Sequence, residues 1–158
     1  MAQQLHSNRP STMLLQARIS LESGDPEAAL KTIDRAAAEL KTRGSKPAPK
    51  LNFCRGDALA RLGRADEAEA AFREEIRLFP TDPQPYKNLL LLYAVEGKNR
   101  EATELIFSLE KAAPTPPSYI AISETLKTIG DRAGARFWAA RGLSRFPTDP
   151  QLQALYRG

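Results

Sequence analysis

Apolar and polar residues alternate along this chain at helical spacing, in short runs punctuated by glycine or proline. Between Asn52 and Leu62 the apolar or small positions are Phe53, Gly56, Leu59 and Ala60. Beyond Gly63 a second run opens at Asp66-Glu67, carries Ala68, Ala71, Phe72 and Ile76, and stops before Pro80. The pattern predicts two helices back to back, with Gly63 and Pro80 as terminators. Such a pair cannot bury its apolar face alone, so it needs neighbours of the same kind.

Those neighbours are in the sequence. Gly63 and Gly97 are 34 residues apart and Gly97 and Gly130 are 33, while Pro80, Pro114 and Pro147 follow the same two steps. The hexapeptide from Phe79 to Gln84 returns unchanged from Phe146 to Gln151, two units later. Ala29, Ala68, Ala102 and Ala135 each stand five positions after a glycine, where close packing between paired helices admits little beyond a methyl group.

The series Leu59 to Gly63, Ala68, Phe72 and Pro80 resembles the tetratricopeptide repeat, a 34-residue helix-turn-helix with Leu-Gly, Ala, Phe and Pro at fixed places. Four in-phase units cover residues 10 to 158. The resemblance implies an all-α, right-handed superhelical solenoid of four helix pairs plus a C-terminal capping helix. Its repeats fall at about 10–49, 50–82, 83–115 and 116–148, the terminal helix at 149–157, and all form a single domain behind a flexible start, 1–9. Departures are Arg55 in place of a leucine and Ala139 in place of a large aromatic, with the aromatic mass moved to Phe137-Trp138.

Taken in order, the first helix carries Met13, Leu14, Ala17, Ile19 and Leu21, and its partner opens on Asp25-Pro26-Glu27 with Asp25 as N-cap. The first unit is longer than the rest, and the excess is expected in a loop from Lys41 to Pro49. Asp82 and Pro83 open the third unit, whose run from Leu89 to Tyr93 is apolar on more than one face and predicts the most buried helix of the set. A ninth helix begins at Asp149-Pro150 and offers Leu152, Leu155 and Tyr156 to cover the last apolar face.

Composition narrows the function classes. A formal charge of +4 is modest for nucleic-acid binding, and the densest basic stretch, Lys41, Arg43, Lys46 and Lys50, holds no interleaved aromatic. It reads as a solvated loop. Cys54 is the only cysteine and reads as a small packed residue. His6, the only histidine, has no partner for acid-base or metal work, and neither a phosphate-binding glycine loop nor a GxSxG motif occurs. Glu67, Glu69, Glu74 and Glu75 stand at helical spacing from Arg73 and Arg77 and read as a solvated charged face. Trp138 reads as core. Neither a membrane-spanning run nor a signal peptide is found, which favours the cytoplasm unless the chain is a piece of a longer exported protein.

The expectation is thus a non-enzymatic interaction module without cofactor or metal, in keeping with a repeat domain of a larger bacterial-type protein. It binds a peptide or partner domain, and the monomer is favoured. In the resembled family the first helix of each pair lines a concave side. Its free positions here are Leu14, Arg18 and Leu21, then Phe53, Asp57 and Arg61, then Lys87, Leu91 and Val95, then Ile120, Glu124 and Thr128, with Asn88 and Lys127 at the border. Family members that clamp a chaperone's C-terminal carboxylates need Lys-x-x-x-Asn, which is missing, so that ligand is disfavoured. The alternative is an RNA-binding helical-repeat protein; it needs a recurring basic or stacking residue, whereas the stripe changes from Arg18 to Asp57 to Leu91 to Glu124.

Overall fold

The computed structural model describes residues 9–158, so the expectations for the extreme N-terminus, His6 included, lie outside the described residues. Nine helices and no strand are found among them. They are α1 (Pro10–Glu22), α2 (Pro26–Thr42), α3 (Leu51–Arg61), α4 (Ala65–Leu78), α5 (Pro83–Glu96), α6 (Asn99–Ala112), α7 (Pro116–Thr128), α8 (Arg132–Arg145) and α9 (Pro150–Arg157). Contacts divide the described residues into two compact units that meet in the chain between Phe79 and Pro80. No helix among the described residues is long and apolar enough to cross a membrane.

Several helix ends follow from residues that the sequence singles out, and Asp131 adds one that it does not. Asp25, Asp82, Asp131 and Asp149 each accept a hydrogen bond from a backbone N–H in the turn they precede, satisfying donors that a helix start leaves open. Gly63 and Gly97 take the left-handed conformation, φ +73 and +70, which costs a glycine nothing. The repeated hexapeptide does the same work twice. Phe79 and Phe146 end α4 and α8 with nearly equal backbone angles, and Asp82 and Asp149 cap α5 and α9.

In the first unit α1 packs on α2, α2 on α3, and α3 on α4. Met13, Ala17, Leu21, Ala29, Ile33, Ala36, Leu51, Cys54 and Ala58 form one cluster, so Leu21 is core and leaves the expected binding stripe. Ile19, expected inward, is 55% exposed because Ala17 and Leu21 already occupy the buried side of α1. The basic stretch is also less of a loop than expected, since α2 runs through Lys41 to Thr42 and Arg43 is paired with Glu39.

Glu75 overturns its reading as part of a solvated face. It is fully buried, and its carboxylate accepts from the backbone N–H groups of Lys50 (2.6 Å), Asn52 (3.1 Å) and Phe53 (3.3 Å). A side chain of α4 thereby caps the start of α3, where the helix dipole favours negative charge. Lys50 sits there at φ +72, a conformation that strains a side-chain-bearing residue, and the short bond to Glu75 offsets that strain.

In the second unit α5 packs on α6 and α7, α7 on α8, and α9 on both α7 and α8. Tyr86, Leu89, Leu90 and Tyr93 of α5 are buried, but Leu91 and Leu92 are only half-buried and Val95 is 87% exposed, so α5 is not the most buried helix of the set, as was expected; α7, with Ser118, Tyr119, Ile122, Ser123, Thr125 and Leu126 buried, exceeds it. At α9 only Leu152 is fully buried; Leu155 is partly so and Tyr156 is exposed. Ala29, Ala68 and Ala135 are buried as expected, whereas Ala102 is half-exposed at the edge of an opening described below.

Two expectations test this packing. Ala68→Leu should cost about 1–3 kcal/mol of stability in urea unfolding, while Ala102→Leu should stay within about 0.5 kcal/mol; equal losses would mean that the opening beside Ala102 is closed in solution. Glu75→Ala should cost roughly 1–3 kcal/mol, because several backbone donors lose their acceptor, and Glu75→Gln should cost less. A loss at Glu75→Ala no larger than that at the surface variant Glu69→Ala would contradict the capping role.

Candidate functional site

The first unit commits most of its predicted site residues to internal contacts. Leu14 and Phe53 are half-buried against the same core cluster. The Phe53 ring lies 6.1 Å from that of Phe72, with the Lys50 ammonium 5.2 Å from its centroid. Arg61 is doubly engaged: its guanidinium pairs with Asp57 at 3.2 Å and donates to the Leu21 carbonyl at 3.0 Å, tying the end of α1 to α3. Arg18 is exposed. Burial pushes the Cys54 thiol up to about 11, an effect that the nearby Arg18 charge opposes and does not overcome, so this cysteine is a protonated core residue at neutral pH.

The second unit is more open. Lys87 stands beside Ala121 and Ile122 of α7, and Asn88, Leu91 and Ile120 are half-buried. Val95 and Glu124 project into solvent. Lys127 departs from the stripe and joins Arg132 and Arg136 of α8 around a separate opening toward α9.

A feature that sequence reasoning missed lies between α6 and α8. An opening of about 480 Å³ is walled by Ala102, Ile106 and Phe107 of α6 and by Phe137 and Trp138 of α8, with Leu90 of α5 also lining it. Trp138 is buried as expected, but Phe107 is 48% and Phe137 58% exposed. The rings are packed edge to face, Phe107 to Trp138 at 5.3 Å and Phe137 to Trp138 at 5.7 Å. A signal was present: neighbouring residues on a helix point about 100° apart, so Phe137 and Trp138 cannot both face one core.

One wall of that opening is fixed by a polar network. Glu110 accepts from both the Arg141 guanidinium and the Tyr119 hydroxyl, the latter at 3.0 Å, and Arg141 lies over the Trp138 ring. The Arg141 hydrogen bond holds the Glu110 carboxyl below the usual carboxylate range, against the burial that would raise it. Burial, then Glu110, pushes the Tyr119 phenol up. Ser123 donates to the Ala135 carbonyl at 2.7 Å and locks α7 to α8.

Residues 14–83 match the family model described as tetratricopeptide repeat. Over those residues the chain is similar to tetratricopeptide repeats. Cellulose synthase operon protein C of Pseudomonas fluorescens (strain SBW25) is 28% identical over 125 residues, which are 77% of this chain and 10% of that protein. The chain therefore spans about a tenth of that relative's length. Among solved structures, a thermophilic TPR protein of Thermus thermophilus superposes with a TM-score of 0.69 at 19% identity, covering 98% of this chain and 82% of that one. PilW, a type IV pilus biogenesis factor, gives 0.65 at 18% over 94% and 67%, and MamA 0.64 at 18% over 91% and 82%. At these identities the likeness speaks for the fold, an all-α helical repeat.

The Glu110 network has a pH signature. A carboxyl whose folded pKa is depressed stabilises the fold above its unfolded value, and that contribution is lost as pH falls through the folded one. Glu110→Gln should therefore destabilise the protein at neutral pH, and the gap to wild type should narrow as pH drops below the usual carboxylate range. Denaturant midpoints across an acid series measure it; a constant gap would remove Glu110 from the account.

Proposed function

We propose that the chain is a non-enzymatic interaction module that receives a peptide or partner domain on the exposed face of its first helices. The observation that carries this reading is Val95, 87% exposed on a helix whose Tyr86, Leu89, Leu90 and Tyr93 are buried. An α-helix docks through one apolar stripe, so Val95, with the half-buried Leu91 one turn before it, is surplus to the packing of α5. Surplus apolar surface of this kind marks interaction sites. In the second unit the face comprises Lys87, Asn88, Leu91 and Val95 of α5 with Ile120 and Glu124 of α7. In the first it comprises Leu14 and Arg18 of α1 with Phe53, Asp57 and Arg61 of α3. The apolar members serve as anchors and the charged ones set approach and register.

The opening between α6 and α8 supports a second reading. Its size lies in the range of ligand pockets, and its exposed aromatics are the side chains that partner surfaces use as anchors. On this reading a single apolar side chain of the partner enters between Phe107 and Phe137.

The two readings separate by mutation of exposed residues. A partner captured from source cells and purified should bind Val95→Glu more weakly by about 2 kcal/mol or more in calorimetry, with the melting temperature unchanged. Leu91→Glu should act in the same sense, and Lys87→Ala should change mainly the salt dependence. If Val95→Glu binds normally and Phe137→Glu does not, the α6–α8 opening is the site. Normal binding by both variants would overturn both readings.

A further inference from the structure

Position by position, the second helices of the repeats carry polar or small residues at two outer places, with one exception at each. Ten residues after the glycine that precedes each helix stand Asp34 in α2, Arg73 in α4 and Ala140 in α8, but Phe107 in α6. Seven residues after it stand Lys31 in α2, Ala70 in α4 and Glu104 in α6, but Phe137 in α8. The repeat needs an aromatic at neither place, since three of the four helices do without one. Both rings are about half exposed, and they line the same opening, one from α6 and one from α8. Exposed aromatics that the fold does not require are the side chains that contacts between chains use as anchors.

This surface carries both halves of a contact with itself. The exposed Phe137 ring stands beside an opening of about 480 Å³, ample for one phenyl ring and walled mainly by apolar side chains. A patch that bears knob and hole side by side can pair with its own copy about a two-fold axis, where each contact occurs twice. Such pairing also requires that the patch not repel itself. Among the described residues Asp131 is the one charged side chain that lines the opening, and its carboxylate accepts from the Gly134 N–H at 2.8 Å, at the start of α8. Elsewhere on the two helices Arg100 is paired with Glu104, and Arg141 with Glu110, so these cations carry their counter-charges with them.

We propose that two copies of the chain associate through this opening, Phe137 of each entering beside Phe107 of the other. This rests on the second reading above, in which one apolar side chain enters between the two rings, and it names that side chain. The area sets the strength. Two half-exposed phenyl rings offer roughly 200 Å² per copy, and about 400 Å² for the pair of copies falls well below the roughly 1,200 Å² at which standard-size interfaces begin. Even with the polar rim of α6 and α8 around it, the contact belongs to the weak, transient class, a dimer that forms at high concentration and comes apart on dilution.

Sedimentation equilibrium of the whole chain from about 5 µM to about 500 µM reads the association with no other protein present. A monomer–dimer equilibrium is expected. Trp138, the single tryptophan, walls the opening, so its emission should change over the same range. Phe137→Ala removes the knob and Ala102→Leu fills the hole; each should raise the dissociation constant about tenfold or more, with the melting temperature little changed. An equimolar mixture of the two variants restores one of the two contacts and should associate more tightly than either variant alone. Leu15→Ser, which removes an exposed apolar side chain of α1, should leave the dimer intact. A monomer at every concentration overturns the proposal while the reading on which it rests, tested with a foreign partner, still stands. An undiminished dimer in Phe137→Ala, an equal loss in Leu15→Ser, or no gain in the mixture also overturns it.

Discussion

Paired helices in this chain approach most closely where one of the facing side chains is a hydrogen atom or a methyl group, and much else depends on that limit. A Cβ built on Gly56 would stand 2.6 Å from the Phe72 ring, and one on Gly142 would stand 2.8 Å from Cβ of Tyr119 and 2.9 Å from Leu152. Both are nearer than atoms can pack, so α3 meets α4, and α8 meets α7 and α9, at distances that only glycine permits. Ala29, Ala68 and Ala135 do the same work with a methyl group. The large side chains Phe72, Tyr119 and Leu152 then fill the space opposite, which is why the period of small residues and the period of the fold coincide.

Close helices leave little room for polar groups, and the two buried carboxylates are handled locally. Glu75 and Glu110 would each be costly if merely sequestered from water. Glu75 is met by the open N–H groups at the start of α3, and Glu110 by Arg141 and Tyr119. No buried side-chain nitrogen or oxygen among the described residues lacks a partner. The two acids join elements that apolar contact alone would join less specifically: Glu75 fixes where α3 begins, and Glu110 links α6 to both α7 and α8. In each case the acid acts through position more than through net charge, which is why neighbours that look identical in sequence, Glu74 on the surface with Arg77 and Glu75 in the interior, have opposite roles.

The difference between those neighbours marks the limit of what was legible. Periodic features were readable because they state a requirement of local backbone or packing: Asp82 and Asp149 before proline, Gly63 and Gly97 after an apolar run, Ala68 between helices. Element order and most helix ends followed from them. Glu75 was not readable, because its burial depends on the α3 start lying opposite, a contact between residues more than twenty positions apart. Ile19 and Leu21 were misassigned for a related reason: a helix with apolar residues on two faces does not announce which face its partners will cover. The opening between α6 and α8 arises from what fails to close beside Ala102, and its one trace in the sequence is Phe137 next to Trp138, which cannot both face one core. Of the predicted binding face, the positions were derivable, but the engagement of Arg61 with the Leu21 carbonyl and the turn of Lys127 toward α8 needed coordinates.

The features that local rules do not explain gather on the second unit's surface, and on α8 above all. Ala135, Trp138, Ala139 and Gly142 give that helix its buried side, and nothing in that task requires Phe137 in solvent. Phe137 borders the opening toward α6, opposite Phe107. Packing therefore explains the inner face of α8, and the exposure of Phe137 is not required by it.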